Sequence, residues 1–409
     1  MPDADRKISG AAGAWRHLSG PYAAFLVQHR RQLAFGTVLM TLSSFGQTYF
    51  VALSGPQFRS TFGLSDGGLG GAYALGTIVS ALTLSWVGRW IDRTTVTRYT
   101  LGVAALLSVA CLVTALSPTV AMLVLGFYLL RLGGQGLMTH TALTATARAF
   151  PRAVGQAVGI ITLGLSLGQA ILPLLAVGLI DAIGWRWAWV CNAVVVAFGA
   201  VVALRVLPPA ARNIGSTRTF NLADALRVAL WRDRRLWLAL PVLLASPFIA
   251  TGFFFHQARL AEEKAWDLTW VAGWFSAYAV TQAAVQLAAG PLIDRIGPGR
   301  LLPFVLLPQG AAMLTLSLTA AAWGTPVYLI LTGVSSAVAA TLGTALWVEF
   351  YGPLELARVR SAVTAGTVLA SGASPILMGL LIDRGVPLST QAAGCCVYII
   401  LASLIATRI

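Results

Sequence analysis

Four ionisable side chains stand inside long apolar stretches of this chain: Arg131, His140, His256 and Glu349. An arginine at the centre of a membrane helix costs roughly 2.5–3.5 kcal/mol on insertion scales, so such a residue faces a polar interior. Arg131 is then an anchor for a substrate anion or a partner in coupling. Alternatively it is an internal hydrogen-bond donor to carbonyls, or to a glutamine of the first or fifth apolar stretch. Glu349 is a proton site if desolvation raises its pKa, or a gate charge for Arg295, Arg358 or Arg360. Histidine as a residue type titrates near neutrality, so either His140 or His256 could sense or carry a proton; the plainer role is that of a satisfied polar residue. Arg259 lies one helical turn beyond His256, and the two together would attract anions at an outer mouth, unless Arg259 only snorkels. Neutral polar residues recur as well: Ser43, Ser44, Gln47 and Tyr49, then Gln169, Tyr278 and Gln282, then Ser371 and Ser374. They line a weakly charged pathway or tie helix to helix. No P-loop, Ser/His/Asp set or metal-ligand cluster is present, so no enzyme, metal or cofactor is expected.

A second pattern concerns movement rather than ligands. Gly88-Arg89-Trp90-Ile91-Asp92-Arg93 and Gly290-Pro291-Leu292-Ile293-Asp294-Arg295 both read G-x-x-x-D-R, and each follows an apolar run of about twenty residues, the length that spans a bilayer. Each aspartate could accept hydrogen bonds from the N-terminus of a helix in the opposite half, where the dipole favours negative charge. Together the two would latch the halves on the cytoplasmic side when the protein faces outward. The second copy continues with Gly297 and Arg300; in the first, Thr94-Thr95 stands where a turn glycine would be, which loosens the turn. On that ground Asp294 matters more to function than Asp92.

The elements that position these residues are membrane helices. Of 409 residues, 57% are hydrophobic and 10% charged, against roughly 25% charged in soluble domains. Twelve spans are expected, at 33–56, 67–90, 97–117, 119–147, 153–181, 186–207, 236–258, 268–293, 301–321, 326–350, 359–382 and 387–407. Residues 1–32 are expected to form a cytoplasmic tail without a cleavable signal, in which Trp15 to Gln32 is either a short interfacial helix or frayed. The linker 208–235 carries six arginines and an expected surface helix from Leu222 to Leu230. With the N-terminus inside, 22 of the 28 Lys and Arg fall on cytoplasmic segments, five outside (Arg59, Arg186, Arg259, Lys264, Arg384) and Arg131 within a span. This is the positive-inside bias. The net charge of +14 therefore reports topology and contact with anionic lipid, not nucleic acid. Both termini are expected in the cytoplasm. The cysteines at 111, 191, 395 and 396 show no disulfide or metal spacing.

The chain also repeats. Gly70-Gly71-Ala72-Tyr73 corresponds to Phe275-Ser276-Ala277-Tyr278, 205 residues on. Asp92 and Asp294 are 202 apart, and Thr141-Ala142-Leu143 and Thr344-Ala345-Leu346 are 203 apart. Three matches at nearly one offset imply two six-helix halves of one fold, 33–207 and 236–409.

Twelve spans, two halves and paired G-x-x-x-D-R turns resemble the major facilitator superfamily, over essentially all of the chain after residue 32. The second turn completes the family's G-x-L-x-D-R-x-G-x-x-R through Gly297 and Arg300, and Arg98 stands for the last cation in the first. Arg131 with Gln135-Gly136 looks like the intramembrane R-x-x-Q-G motif with one extra residue. Gly184-Trp185-Arg186-Trp187 resembles the junction of the fifth and sixth spans. The antiporter-type G-x-x-x-G-P is imperfect: Gly164 and Gly168 are present, but the proline comes at Pro173. Gly252, Phe253 to Gln257 and Arg259-Leu260 faintly resemble carriers of monocarboxylates and oxalate or formate. The resemblance implies an all-α integral membrane protein of two pseudo-symmetric six-helix bundles. It implies a monomeric inner-membrane secondary transporter working by alternating access, on a small organic solute. The expected solute is an organic anion such as a monocarboxylate, moved with protons. Export of drug-like compounds is the alternative within transport, and a non-transporting receptor or scaffold the alternative outside it.

Overall fold

The computed structural model describes residues 24–208 and 233–409, and all regular structure among them is helical. The expected linker helix at Leu222 to Leu230 and most of the tail lie outside the described residues. Twelve long segments follow one another. They are α1 (24–42), α2 (Asp66–Val87), α3 (Val96–Ala115), and α4, which runs through Val120–Leu130, Arg131–Met138 and Thr139–Ala149. The continuous Val154–Val206 turns at Gly184 into α5 (154–183) and α6 (185–206). The second half has α7 (Arg234–Phe255), α8 (Leu268–Ile296), α9 (Leu307–Leu318) and α12 (Leu388–Ala406). Its α10 (Gly324–Tyr351) and α11 (Gly366–Asp383) lie in one unbroken helical run.

Nine helical runs among the described residues are long and apolar enough to cross a membrane, with Val154–Val206 counted once. Local chemistry starts the helices where polar residues interrupt the apolar ones. The side chains of Ser65, Thr95, Thr119 and Asp267 accept the free N–H groups at the starts of α2, α3, α4 and α8.

The first span differs from expectation at both ends. Residues 24–32, expected in the tail, continue α1. The expected single helix 33–56 breaks after residue 42 into Ser43–Gly46, Thr48–Val51, Ala52–Ser54 and Gly55–Phe62, with Gln47 extended (φ −81°, ψ 148°). The cause is tertiary. A Cβ on Gly46 would lie 2.1 Å from the Leu130 carbonyl, and one on Gly134 would lie 2.6 Å from the Gly46 Cα. The backbones of α1 and α4 therefore touch. Unwound backbone at membrane depth persists only where protein covers its polar groups.

Candidate functional site

Arg131 supplies that cover. Its Nη1 donates to the Gly46 carbonyl and to Thr48 Oγ1, both at 3.3 Å, and Tyr73 donates to the same Thr48 hydroxyl at 2.8 Å. The guanidinium lies 5.4 Å from the Tyr73 ring centroid, a cation–π contact, and its Nε has no partner. Of the two roles open in the sequence, the structure displays hydrogen bonding to first-span backbone. No carboxylate among the described residues pairs with this buried cation.

The largest cluster of charge lies elsewhere, at the end of the molecule that holds Asp66. Arg59 bonds Asp66 (2.9 Å) and Glu262 (3.1 Å); Arg259 bonds Glu262 (3.0 Å) and approaches Asp66 (3.9 Å). The bond to Glu262 holds the Arg259 guanidinium above its usual range. The imidazole Nδ1 of His256 is 3.8 Å from the other Asp66 oxygen. Asp383, at the end of α11, accepts from the backbone N–H groups of Asp66 (3.1 Å) and Gly67 (3.0 Å) and from the Ser65 hydroxyl (2.7 Å). A carboxylate of the second half thus caps the N-terminus of α2 in the first, where the helix dipole stabilises it. Glu263 caps α12 in the same way, through the N–H groups of Leu388 and Ser389.

Close helix contact surrounds this cap. A Cβ on Gly70 would lie 2.4 Å from the Pro375 carbonyl, and one on Gly379 2.5 Å from the Asp66 carbonyl. Beneath lies a layer of rings from both halves: Tyr73 against Phe255 (4.7 Å) and Tyr49 against Phe275 (5.9 Å). Gln257 adds a bond to the Tyr49 carbonyl at 2.7 Å. The hydrogen bonds and ion pairs by which Tyr49, Arg59, Ser65, Asp66 and Gly67 meet the second half all lie at this end.

The opposite end holds Asp92 and Asp294. Asp92 pairs with Arg148 of its own half; the clasp reading joins the halves at this end only when the protein faces outward. His140 sits beside this pair with Nε2 3.2 Å from the Gly88 carbonyl. Thr94 and Thr95 do not loosen the first turn: Thr94 donates to the Trp90 carbonyl and Thr95 accepts from the Arg98 N–H, so capping replaces the glycine. The second turn uses a left-handed glycine instead, Gly297 at φ +94°. Glu349 is exposed and accepts from the Gly299 N–H at 3.3 Å, binding α10 to the turn of its own half; no pair with Arg295 forms. The side chains of Arg358 and Arg360 lie outside the described ones. Asp294, Arg295 and Arg300 are exposed and unpaired with other described residues.

A cavity of about 400 Å³ opens between α7, α10 and α11, lined by Ser246, Ser336, Thr364, Thr367 and Trp347 among apolar groups. The expected lining residues divide. Gln135 is exposed, Gln47 and Gln282 half-buried, and Gln169 and Tyr278 buried, the last against Phe254. None of them lines this cavity.

Sequence reading missed Asp66, Arg59, Glu262 and above all Asp383. The signal was present. Gly379-Leu380-Leu381-Ile382-Asp383-Arg384-Gly385 is a third G-x-x-x-D-R, identical to the other two over Ile-Asp-Arg, with a left-handed glycine (Gly385, φ +81°) after it as in the second copy.

The Major Facilitator Superfamily model matches residues 33–329 and 251–408. Over 161 residues the chain is 29% identical to "Uncharacterized transporter YebQ" of Escherichia coli K12, covering 39% of this chain and 34% of that protein. Over 163 residues it is 27% identical to "Multidrug resistance protein B homolog" of Mycobacterium tuberculosis, covering 39% and 29%. The matches thus span about a third of these relatives' lengths. Two solved folds align over nearly the whole chain. A bacterial homologue of the human lysosomal transporter Spinster, in an inward-facing and occupied conformation, has a TM-score of 0.71 at 15% identity, covering 95% of this chain and 97% of its own. The nucleoside transporter NupG has a TM-score of 0.75 at 12% identity, covering 92% and 99%. Helix order, paired turns and these matches agree: the chain is a multi-pass membrane protein that belongs to the major facilitator superfamily.

Proposed function

We propose that this transporter moves a small organic solute by alternating access across the inner membrane, with its Asp66 end outside and sealed and its Asp92 end open to the cytoplasm. The observation that carries this is the concentration of polar bonds between the halves at the Asp66 end. The positive-inside count orients that end outward and both termini inward. No nucleotide-hydrolysis motif is present in the sequence, so gradients drive transport, with protons as the coupling ion. The preferred solute is an organic anion with a small apolar body, a monocarboxylate in the simplest case. Arg131 supports this, as a buried cation without a carboxylate partner among the described residues. The 400 Å³ cavity of hydroxyls and apolar groups suits a ligand of that size.

The test is uptake of labelled monocarboxylates into proteoliposomes under an inward proton gradient. Uptake should occur, and Arg131→Gln should lower kcat/KM by about tenfold or more, the loss expected when one charge-assisted contact is removed. If no monocarboxylate is taken up and Arg131→Gln spares transport of another solute, the anion reading fails. A second reading, export of drug-like compounds, is favoured by the likeness to the multidrug resistance homologue and by the apolar cavity wall. Loss of resistance on deletion of the gene would select it.

A further inference from the structure

We propose that His256 is the proton-binding site of this transporter, and that a proton on its Nδ1 closes the Asp66 end by joining the two halves through Asp66. The inference rests on the alternating-access reading above.

Hydrogen-bond chemistry fixes the tautomer. The His256 Nε2 is 2.9 Å from the Pro375 carbonyl, which can only accept, so Nε2 carries a hydrogen. In the neutral ring Nδ1 is then a bare acceptor, and it faces Asp66 Oδ1, another acceptor, at 3.8 Å. A second proton makes Nδ1 a donor and turns the facing lone pairs into a charge-assisted contact across the halves. The ring belongs to the second half and Asp66 to the first, so the contact exists only with this end closed.

Charged groups from both halves surround the site. Around it stand Asp66, Arg59 on the segment before α2, Arg259 and Glu262 on the segment after α7, and Asp383 on α11. Arg59 and Arg259 both engage Asp66 Oδ2, which leaves Oδ1 for the imidazole while their charges oppose a third cation. His256 is 3% exposed, sealed above by these charges and flanked by the Phe255 ring at 5.1 Å. Its proton therefore exchanges with the outside only when this end opens. An acidic exterior loads the ring, and loading favours closure, which turns the molecule inward.

By linkage, whatever factor favours the proton in the closed end over the open one raises the closed-to-open ratio by the same factor when the proton binds. A window from about pH 5 to 8 lies above the ordinary carboxylate range and below that of arginine, so the surrounding acids and guanidiniums stay charged across it.

Pulsed electron paramagnetic resonance on spin-labelled protein in nanodiscs tests this, with the native cysteines changed to serine. One label pair, Thr61→Cys with Thr269→Cys, spans the Asp66 end; another, Gly155→Cys with Thr407→Cys, spans the Asp92 end. The short-distance population at the first pair should grow about tenfold relative to the long one from pH 8 to pH 5, the second pair moving in opposition. His256→Gln keeps a donor for the Pro375 carbonyl and does not titrate, so its ratio should be flat. A His256→Gln variant that titrates like the parent overturns the proposal, as do exchanging ends with no pH dependence in the parent. If neither pair changes distance at any pH, nor when Gly70→Val is introduced, alternating access itself fails and the proposal with it.

Discussion

The two ends of this protein use one sequence pattern to opposite effect. At the Asp66 end, Asp383 of a G-x-x-x-D-R turn reaches across the halves to the start of α2, over glycines packed backbone to backbone. At the other end, Asp92 of the same pattern holds Arg148 of its own half, and Asp294 is exposed. The turns are alike; what differs is whether a helix N-terminus of the other half lies within reach. A carboxylate at a helix end is therefore a clasp only when the opposite bundle brings it a partner, and Asp294 has none among the described residues.

The contrast between the ends can be broken most strongly at Gly70. A valine there meets the Pro375 carbonyl, a backbone atom that cannot swing aside. Overpacking of this kind costs about 1–3 kcal/mol, so Gly70→Val should shift the sealed-to-open ratio by about ten- to hundredfold, read from label distances across the Asp66 end. A smaller effect is expected from the cap. Asp383→Ala strips the acceptor from two N–H groups and a hydroxyl and should weaken the sealed end by about 1–2 kcal/mol, while Asp383→Asn, which keeps an acceptor oxygen, should cost less. Equal losses would mean that charge alone closes this end. The smallest effects concern the stability of the Asp92 end. Asp92→Asn leaves the Arg148 side chain, 6% exposed, without its counter-charge and should cost about 1–2 kcal/mol in thermal unfolding. Asp294→Asn should stay within about 0.5 kcal/mol. A larger drop for Asp294→Asn would show that the second turn has a partner in the folded ground state.

Much of this was legible from residues alone. Apolar runs of spanning length, the offset near 203 and the paired turns mark the fold because hydropathy and internal repetition are local properties of a chain. The break in α1 is only partly local. Ser43, Ser44, Gly46 and Thr48 are weak helix formers, and the chain unwinds there because Gly46 meets Gly134 and Arg131 takes up the freed carbonyl. The charges at the Asp66 end were readable as letters but not as a cluster. Arg59, Asp66, Glu262 and Asp383 each sit at a span boundary, where a lone charge says only that the helix has reached water. His256 and Arg259 were singled out together, and both do reach Asp66; their partner lies some 190 residues earlier in the chain.

The wide turn in α4 has its own consequence. From Arg131 to Met138 the helix is π-type, closing its hydrogen bonds one residue further along than an α-helix does. Between Arg131 and Gln135 the chain also holds one residue more than the R-x-x-Q-G pattern it resembles. In a regular helix a surplus residue turns everything after it by about 100°. Here the remainder of α4 keeps its bearings: Thr141, Ala142, Ala145 and Thr146 are buried, and Arg148 meets Asp92. The bulge works as a splice, absorbing an insertion within a few residues so that neither the arginine above it nor the helix below it has to rotate.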